Sequence, residues 1–212
     1  MRLTYFINIS ILFLAATTCR AAAVFVDFSK GDFQLNQSNQ IVIGVADNEQ
    51  RGVLHAVKNL SADIKAVCGA EVTIGNNSSA TIVAGTLGSS KIIDEMAKKR
   101  IFDAKSLKGK TEMFVITATD KQLIIAGSDR RGTIYGIYEL SRQLGVSPWY
   151  YWADVPIESH QSVYIKKGTY TDGEPAVRYR GIFLNDEAPC LTGWVKNTYG
   201  TNYGDHRFYE RV

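Results

Sequence analysis

Apolar residues recur at steps of three and four between Gln50 and Val67: Val53, Leu54, Val57, Leu60, Ile64 and Val67. That spacing predicts an amphipathic helix, and Gly69 supplies its C-terminal stop. Ile92, Ile93 and Met96 mark a second helix, which closes on Lys98-Lys99-Arg100 where cations suit the helix C-terminus. Ile134, Ile137, Tyr138 and Leu144 mark a third, from Thr133 to Leu144, stopped by Gly145. Shorter apolar runs alternate with these helices. Residues 23–28, 41–45, 72–74, 81–84, 113–117 and 123–126 read as strands, and the last two flank a hairpin turn holding Asp120. Strands alternating with helices predict an α/β unit with a mixed sheet over residues 23–170. Lys166–Glu174, polar and carrying Gly168 and Gly173, reads as a linker into a second region, residues 171–212.

That second region opens on Arg178-Tyr179-Arg180-Gly181-Ile182-Phe183-Leu184-Asn185-Asp186-Glu187-Ala188-Pro189. Gly181 to Leu184 has the length and continuous apolar character of a strand buried on both faces. Pro189 cannot donate to a ladder and biases Ala188 away from helix, so pairing stops there. Asn185, Asp186 and Glu187 then stand at a strand's C-terminal end. On a regular strand Asn185 and Glu187 share one face and Asp186 takes the other. Two readings stay open: Asx-turn capping, or polar groups aimed into a pocket as at the C-terminal face of a (β/α)8 barrel.

Composition changes the picture little. The 212 residues are 45% hydrophobic and 21% charged, ordinary for a globular protein, and the net charge of +3 is not gathered into a basic tract that would bind nucleic acid. Residues 1–22 read as a signal peptide: Arg2, an apolar stretch from Ile7 to Ala16 too short to span a bilayer, then Ala21-Ala22-Ala23. The expected destination is secreted or periplasmic, with simple export preferred over lipidation at Cys19. Cys68 and Cys190 remain after cleavage and read as two separate thiols. There is no CxxC and no HExxH, and the three histidines are widely spread, so neither a metal nor a cofactor is expected. Gly127-Ser128-Asp129-Arg130-Arg131-Gly132 lacks the phosphate-loop pattern; Asp129 as an N-cap with glycines for tight packing accounts for it better. Trp149-Tyr150-Tyr151-Trp152 could stack on sugars, but its place between the two regions favours burial at their junction.

Two stretches carry a family resemblance. One runs from Ala126 through Gly132-Thr133-Ile134-Tyr135-Gly136 to Pro148-Trp149-Tyr150-Tyr151-Trp152-Ala153-Asp154-Val155-Pro156. The other is Arg180 to Pro189, with Leu191-Thr192-Gly193-Trp194. Together they resemble glycoside hydrolase family 115, the α-glucuronidases that remove glucuronic acid or its 4-O-methyl form from xylan side chains. The α/β unit also looks like the domain preceding the barrel in family 67 glucuronidases and family 20 hexosaminidases.

The resemblance implies that Gly181–Leu184 is the first barrel strand, that Asn185 and Asp186 line the glucuronic acid pocket, Asp186 as a catalytic carboxylate or as a group that binds sugar hydroxyls and Asn185 as a binding residue, with Trp194 in the following loop as a wall. It implies an inverting mechanism, a glucuronoxylan or related glucuronic acid-bearing polysaccharide as partner, no nucleic acid, no membrane span, and room for a homodimer in the full-length enzyme. A barrel needs about 250 residues. This chain offers one strand and the start of one helix near His206–Val212. It therefore reads as the N-terminal part of the enzyme, inactive alone. The rival class is a carbohydrate-binding or scaffolding α/β module without chemistry; a nucleotide-binding α/β protein is a third reading, resting only on the loop at Gly127 and on fold analogy.

Overall fold

The computed structural model describes residues 23–150, 154–185, 187–202 and 204–209. The proposed signal peptide, Tyr151, Trp152 and Asp186 lie outside them. Nine strands and five helices are present among the described residues. The strands are β1 (Val26–Asp27), β2 (Phe33–Gln34), β3 (Gln40–Gly44), β4 (Glu71–Gly75), β5 (Ile82–Thr86), β6 (Phe114–Ala118), β7 (Leu123–Gly127), β8 (Tyr164–Ile165) and β9 (Gly168–Tyr170). The helices are α1 (Arg51–Cys68), α2 (Lys91–Lys98), α3 (Arg130–Gln143), α4 (Leu191–Tyr199) and α5 (His206–Tyr209).

Six strands form one sheet in the order β4-β3-β5-β7-β6-β9. β4, β3, β5 and β7 are parallel; β6 runs antiparallel to both β7 and β9. The expected mixed sheet is therefore present, and so is the hairpin around Asp120. β7 shows why its sequence is apolar throughout. Successive side chains point to opposite faces, so Leu123 and Ile125 enter one core while Ile124 and Ala126 enter the other. The first core packs α1 and α3 against the sheet through Val57, Leu60, Ile64, Ile137 and Leu140. The second packs α2 through Ile92, Ile93 and Met96. Each large side chain buried this way contributes about 1.5–3 kcal/mol of transfer free energy.

The helix ends follow the local chemistry. Gly69 adopts φ 70° and donates its N–H to the carbonyl of Lys65. Ser90 caps α2 through its hydroxyl, which accepts from the Ile93 N–H. Asp129 caps α3, its Oδ1 accepting from the Gly132 N–H at 2.8 Å. α3 thus begins three residues earlier than its apolar stripe, because the Asp129 cap rather than the stripe sets the start.

Four expectations need correction. The stretch read as a linker contains β9, an edge strand paired on one side only; such strands are short and polar and lack the apolar run that marks a central strand. β2 and β8 build a small antiparallel sheet with β1, in the order β1-β8-β2, from two-residue strands too short to leave a periodic signal. Gly181–Leu184 forms no strand: no neighbouring strand among the described residues meets its backbone groups, and Ile182 and Phe183 are 72% and 91% exposed. Finally, the helix of the second region begins at Leu191, well before the expected His206, where only the single turn α5 stands.

Candidate functional site

The polar end of the motif folds as a turn followed by a helix. Asn185 is exposed, and its Oδ1 accepts from the Glu187 N–H at 3.1 Å, an Asx turn. Its carbonyl accepts from the Leu191 N–H at the start of α4, at 3.4 Å. Leu184 packs with Leu191 and Val195, which anchors the motif to α4. Trp194 is half-buried on α4 rather than in a loop, because the chain turns helical within two residues of Pro189. Its ring meets Tyr199 edge-on at 6.0 Å, and the guanidinium of Arg207 lies 4.7 Å from the centre of the Tyr199 ring. Arg207 also holds the carboxyl of Asp205 well below the usual carboxylate range, with help from Thr201. Asn185 thus meets the start of α4 through its backbone, and Trp194 packs with Tyr199 further along the same helix. Asp186 lies between described residues and is itself outside them.

Asn185 has an amide N–H₂ to offer a hydroxyl or carboxylate, and Trp194 has an indole N–H and an apolar face.

A second constellation lies just upstream and was not foreseen from the sequence. Glu112 is buried, with φ 56°, a left-handed backbone rarely taken by a residue with a side chain. Its Oε1 accepts from Arg131 Nη1 at 2.8 Å, and its Oε2 accepts from Arg180 Nη2. Both arginines also donate to the hydroxyl of Tyr135, Arg180 at 3.0 Å and Arg131 at 2.9 Å. The guanidinium of Arg180 is held strongly protonated by Glu112 first and by Tyr135 second. Nearby, Glu174 accepts from the Thr111 N–H and from Lys110 Nζ, both at 2.8 Å.

A groove of about 940 Å³ runs between the outer faces of α1 and α3 and the 172–180 segment. Asn59, Tyr138, Glu139, Arg142, Tyr150 and Asp172 line it, as does Arg180; neither Asn185 nor Trp194 does. Burial raises the carboxyl of Asp172, and the neighbouring Glu139 raises it further. Glu139 is already engaged by Arg142 through two bonds of 2.7 Å and by Gln143 at 2.8 Å. Both of its carboxylate oxygens are thus held by side chains of its own helix. Trp149 and Tyr150 stand exposed in this chain, at 62% and 44%.

The loop before α3 is filled by its own backbone. A Cβ on Gly127 would lie 2.1 Å from the Thr133 nitrogen, and one on Gly132 would lie 2.2 Å from the Met113 carbonyl oxygen. These glycines permit close packing, as expected. Cys68 and Cys190 are both free thiols, and burial raises the pKa of Cys68. Among the described residues no cluster of His, Cys, Asp and Glu could hold a metal ion, and no helix is long and apolar enough to cross a membrane.

The fold defines a class: an α/β unit whose six-stranded mixed sheet carries a hydrophobic core on each face. The comparisons give the family. The model of glycosyl hydrolase family 115 matches residues 172–212. A solved structure described as a family 115 4-O-methyl-α-glucuronidase with specificity for decorated arabinogalactans is 35% identical over 88% of this chain, with a TM-score of 0.74. The chain belongs to glycosyl hydrolase family 115. It spans 24% of the length of that structure. An N-acetyl-β-hexosaminidase of Streptomyces plicatus is 16% identical over 74% of this chain and 26% of its own, with a TM-score of 0.47. No curated protein matches.

Proposed function

We propose that this chain is the N-terminal part of an exported glycoside hydrolase that removes glucuronic acid or 4-O-methylglucuronic acid side chains from a polysaccharide. The observation that carries this reading is the 35% identity, over 88% of the chain, to a 4-O-methyl-α-glucuronidase. Residues 1–22 act as the export signal, 23–170 as the α/β unit, and 171–212 as the start of the catalytic region. Xylan side chains are the first substrate; the decorated arabinogalactans of the similar structure are the second. The reaction inverts configuration. One carboxylic acid protonates the leaving oxygen while a carboxylate ~6.5–9.5 Å away activates water. Asp186 supplies one of these groups or binds the sugar. Asn185 and Trp194 hold the glucuronic acid. The second carboxylate belongs to sequence beyond this segment, so residues 1–212 alone do not turn over.

The test compares the 212-residue chain with the product of the complete reading frame. Both are incubated with glucuronoxylan and with a glucuronosylated arabinogalactan, and the anomer of the released acid is followed by proton NMR. The complete product should release a β-configured acid first, and the 212-residue chain none. Absence of release from both polysaccharides by the folded complete product overturns the assignment. Early appearance of the α-anomer overturns the inverting mechanism.

A further inference from the structure

Arg180 and Asn185 are five residues apart, so whatever fixes Arg180 sets where the sugar-binding end of the motif can reach. The fixing residue is far away in sequence. Glu112 presents its carboxylate from a left-handed backbone that a side-chain-bearing residue keeps only when its surroundings impose it. Here they do. The Glu112 N–H donates to Asp129 Oδ2 at 2.7 Å, while the other oxygen of Asp129 caps α3. The next residue, Met113, donates its N–H to Ser128 Oγ at 3.0 Å, and its carbonyl accepts from the Ser128 N–H at 2.8 Å. The turn is thus pinned on both sides to the start of α3. Its carboxylate is left bridging Arg131, which belongs to α3, and Arg180, which belongs to the motif. Tyr135 lies under both guanidinium groups, 5.8 Å from each, and accepts from both.

From this geometry we infer that Glu112 is a positioning residue: with Arg131 and Tyr135 it clamps Arg180, and so places the Arg180–Asn185 stretch on the α/β unit. The inference rests on the reading, given above, that Asn185 and Asp186 meet the sugar. The clamp explains why the α/β unit precedes the motif although Asn185 and Trp194 lie outside its groove. It also gives the buried Glu112 carboxylate and its strained turn a task. Arginine is required at 180, because a planar fork can meet the carboxylate and the tyrosine hydroxyl together, and an ammonium is a single point.

Trypsin reads the clamp directly. Arg178 and Arg180 are both exposed, but to cut after Arg180 the protease must take a guanidinium bonded to Glu112 and Tyr135, so Arg178, two residues earlier, serves as an internal reference. In the wild-type 212-residue chain, cleavage after Arg178 should dominate. Glu112→Gln keeps the shape and removes the charge, and the ratio of cleavage at 180 to cleavage at 178 should rise about fivefold or more. Arg180→Lys leaves the α/β core untouched and should raise the ratio similarly. Glu112→Asp should stay between wild type and Glu112→Gln. An unchanged ratio in both Glu112→Gln and Arg180→Lys overturns the clamp, and Arg180→Lys decides it even if Glu112→Gln does not fold. In the complete enzyme, Glu112→Gln should lower kcat with KM and melting temperature near wild type; a fall in melting temperature alone, with kcat per folded molecule intact, reduces Glu112 to a stabilising residue. If the complete wild-type product is inactive on both polysaccharides, the proposed function fails, while the tryptic ratio still decides the clamp.

Discussion

Gly132→Ala tests why the loop before α3 is rich in glycine. Gly132 sits at the third position of α3, where alanine would ordinarily be preferred by about 1 kcal/mol. Here a Cβ would stand 2.2 Å from the Met113 carbonyl oxygen, 2.9 Å from its carbon and 3.0 Å from its nitrogen. These are backbone atoms, and that carbonyl already accepts from the Ser128 N–H at 2.8 Å, so it cannot simply swing away. Overpacking in a well-packed region costs about 1–3 kcal/mol, and a clash with backbone belongs at the top of that range. Subtracting the helix gain leaves a net loss of about 2 kcal/mol, which lowers the melting temperature of a domain this size by about 4–8 °C. Thermal denaturation followed by circular dichroism measures it. Gly75→Ala is the control: a Cβ there meets nothing within 4 Å, so it should melt within about 1 °C of wild type. If Gly132→Ala melts with the wild type, the glycines are not demanded by packing, and the loop would have to be reconsidered as a ligand cradle.

Chymotrypsin should cut first after Phe183, which is 91% exposed, and far later at Phe114, which is 5% exposed; first cuts at Phe114 would show that the α/β unit is not an independent core. Asp27→Asn should lower the melting temperature at neutral pH. The Asp27 carboxyl is held far below its ordinary range by Lys166 Nζ at 2.8 Å, and then by Ser29. Its folded pKa is below its unfolded value of about 3.9, so the stabilisation is complete above that value and lost as pH falls through the acid range. Melting curves of wild type and variant should therefore converge on acidification, and a gap that persists or widens in acid refutes the pairing. Asp186→Asn in the complete enzyme should lower kcat by ~10²–10⁴ with an unchanged circular dichroism spectrum; near wild-type kinetics would make Asp186 a turn former like its neighbour Asn185.

The parts of the fold that were legible in the sequence are those stabilised by their own neighbours. The repeat from Val53 to Val67 is one helix face, and every member but the partly buried Leu54 is buried in the same core. Leu123-Ile124-Ile125-Ala126 is apolar throughout because both faces of β7 are covered. Asp129 announces α3 because the cap bond spans only three residues. What escaped notice depends on a distant partner. The two-residue strand Phe33–Gln34 exists only because Tyr164–Ile165 lies alongside, and Gly168–Tyr170 is a strand only because it borders β6. Neither pairing leaves a local pattern.

Gly181–Leu184 is the converse case, and the same argument explains it. An apolar run states that side chains are to be buried; it does not provide the strands that bury them. In this chain Leu184 finds Leu191 and Val195 on α4, while Ile182 and Phe183 remain exposed. The polar residues behind the run then take up the turn geometry their own side chains offer, as Asn185 does with Glu187. Pocket and Asx turn, two readings of one tripeptide, are therefore not exclusive at Asn185: its oxygen closes the turn, and its amide nitrogen is a separate donor. The clamp residue was beyond reach for a different reason. Glu112 lies 68 residues from Arg180, and a left-handed glutamate carries no mark in sequence, where a glycine would have invited the question. Arg180 is where these lines meet. It lines the groove on the α/β unit, it bonds the buried carboxylate, and it is the residue from which the motif departs. A motif whose apolar run has no strand beside it among the described residues still leaves the α/β unit from a defined point, because an ion pair with a buried partner fixes that point where strand pairing does not.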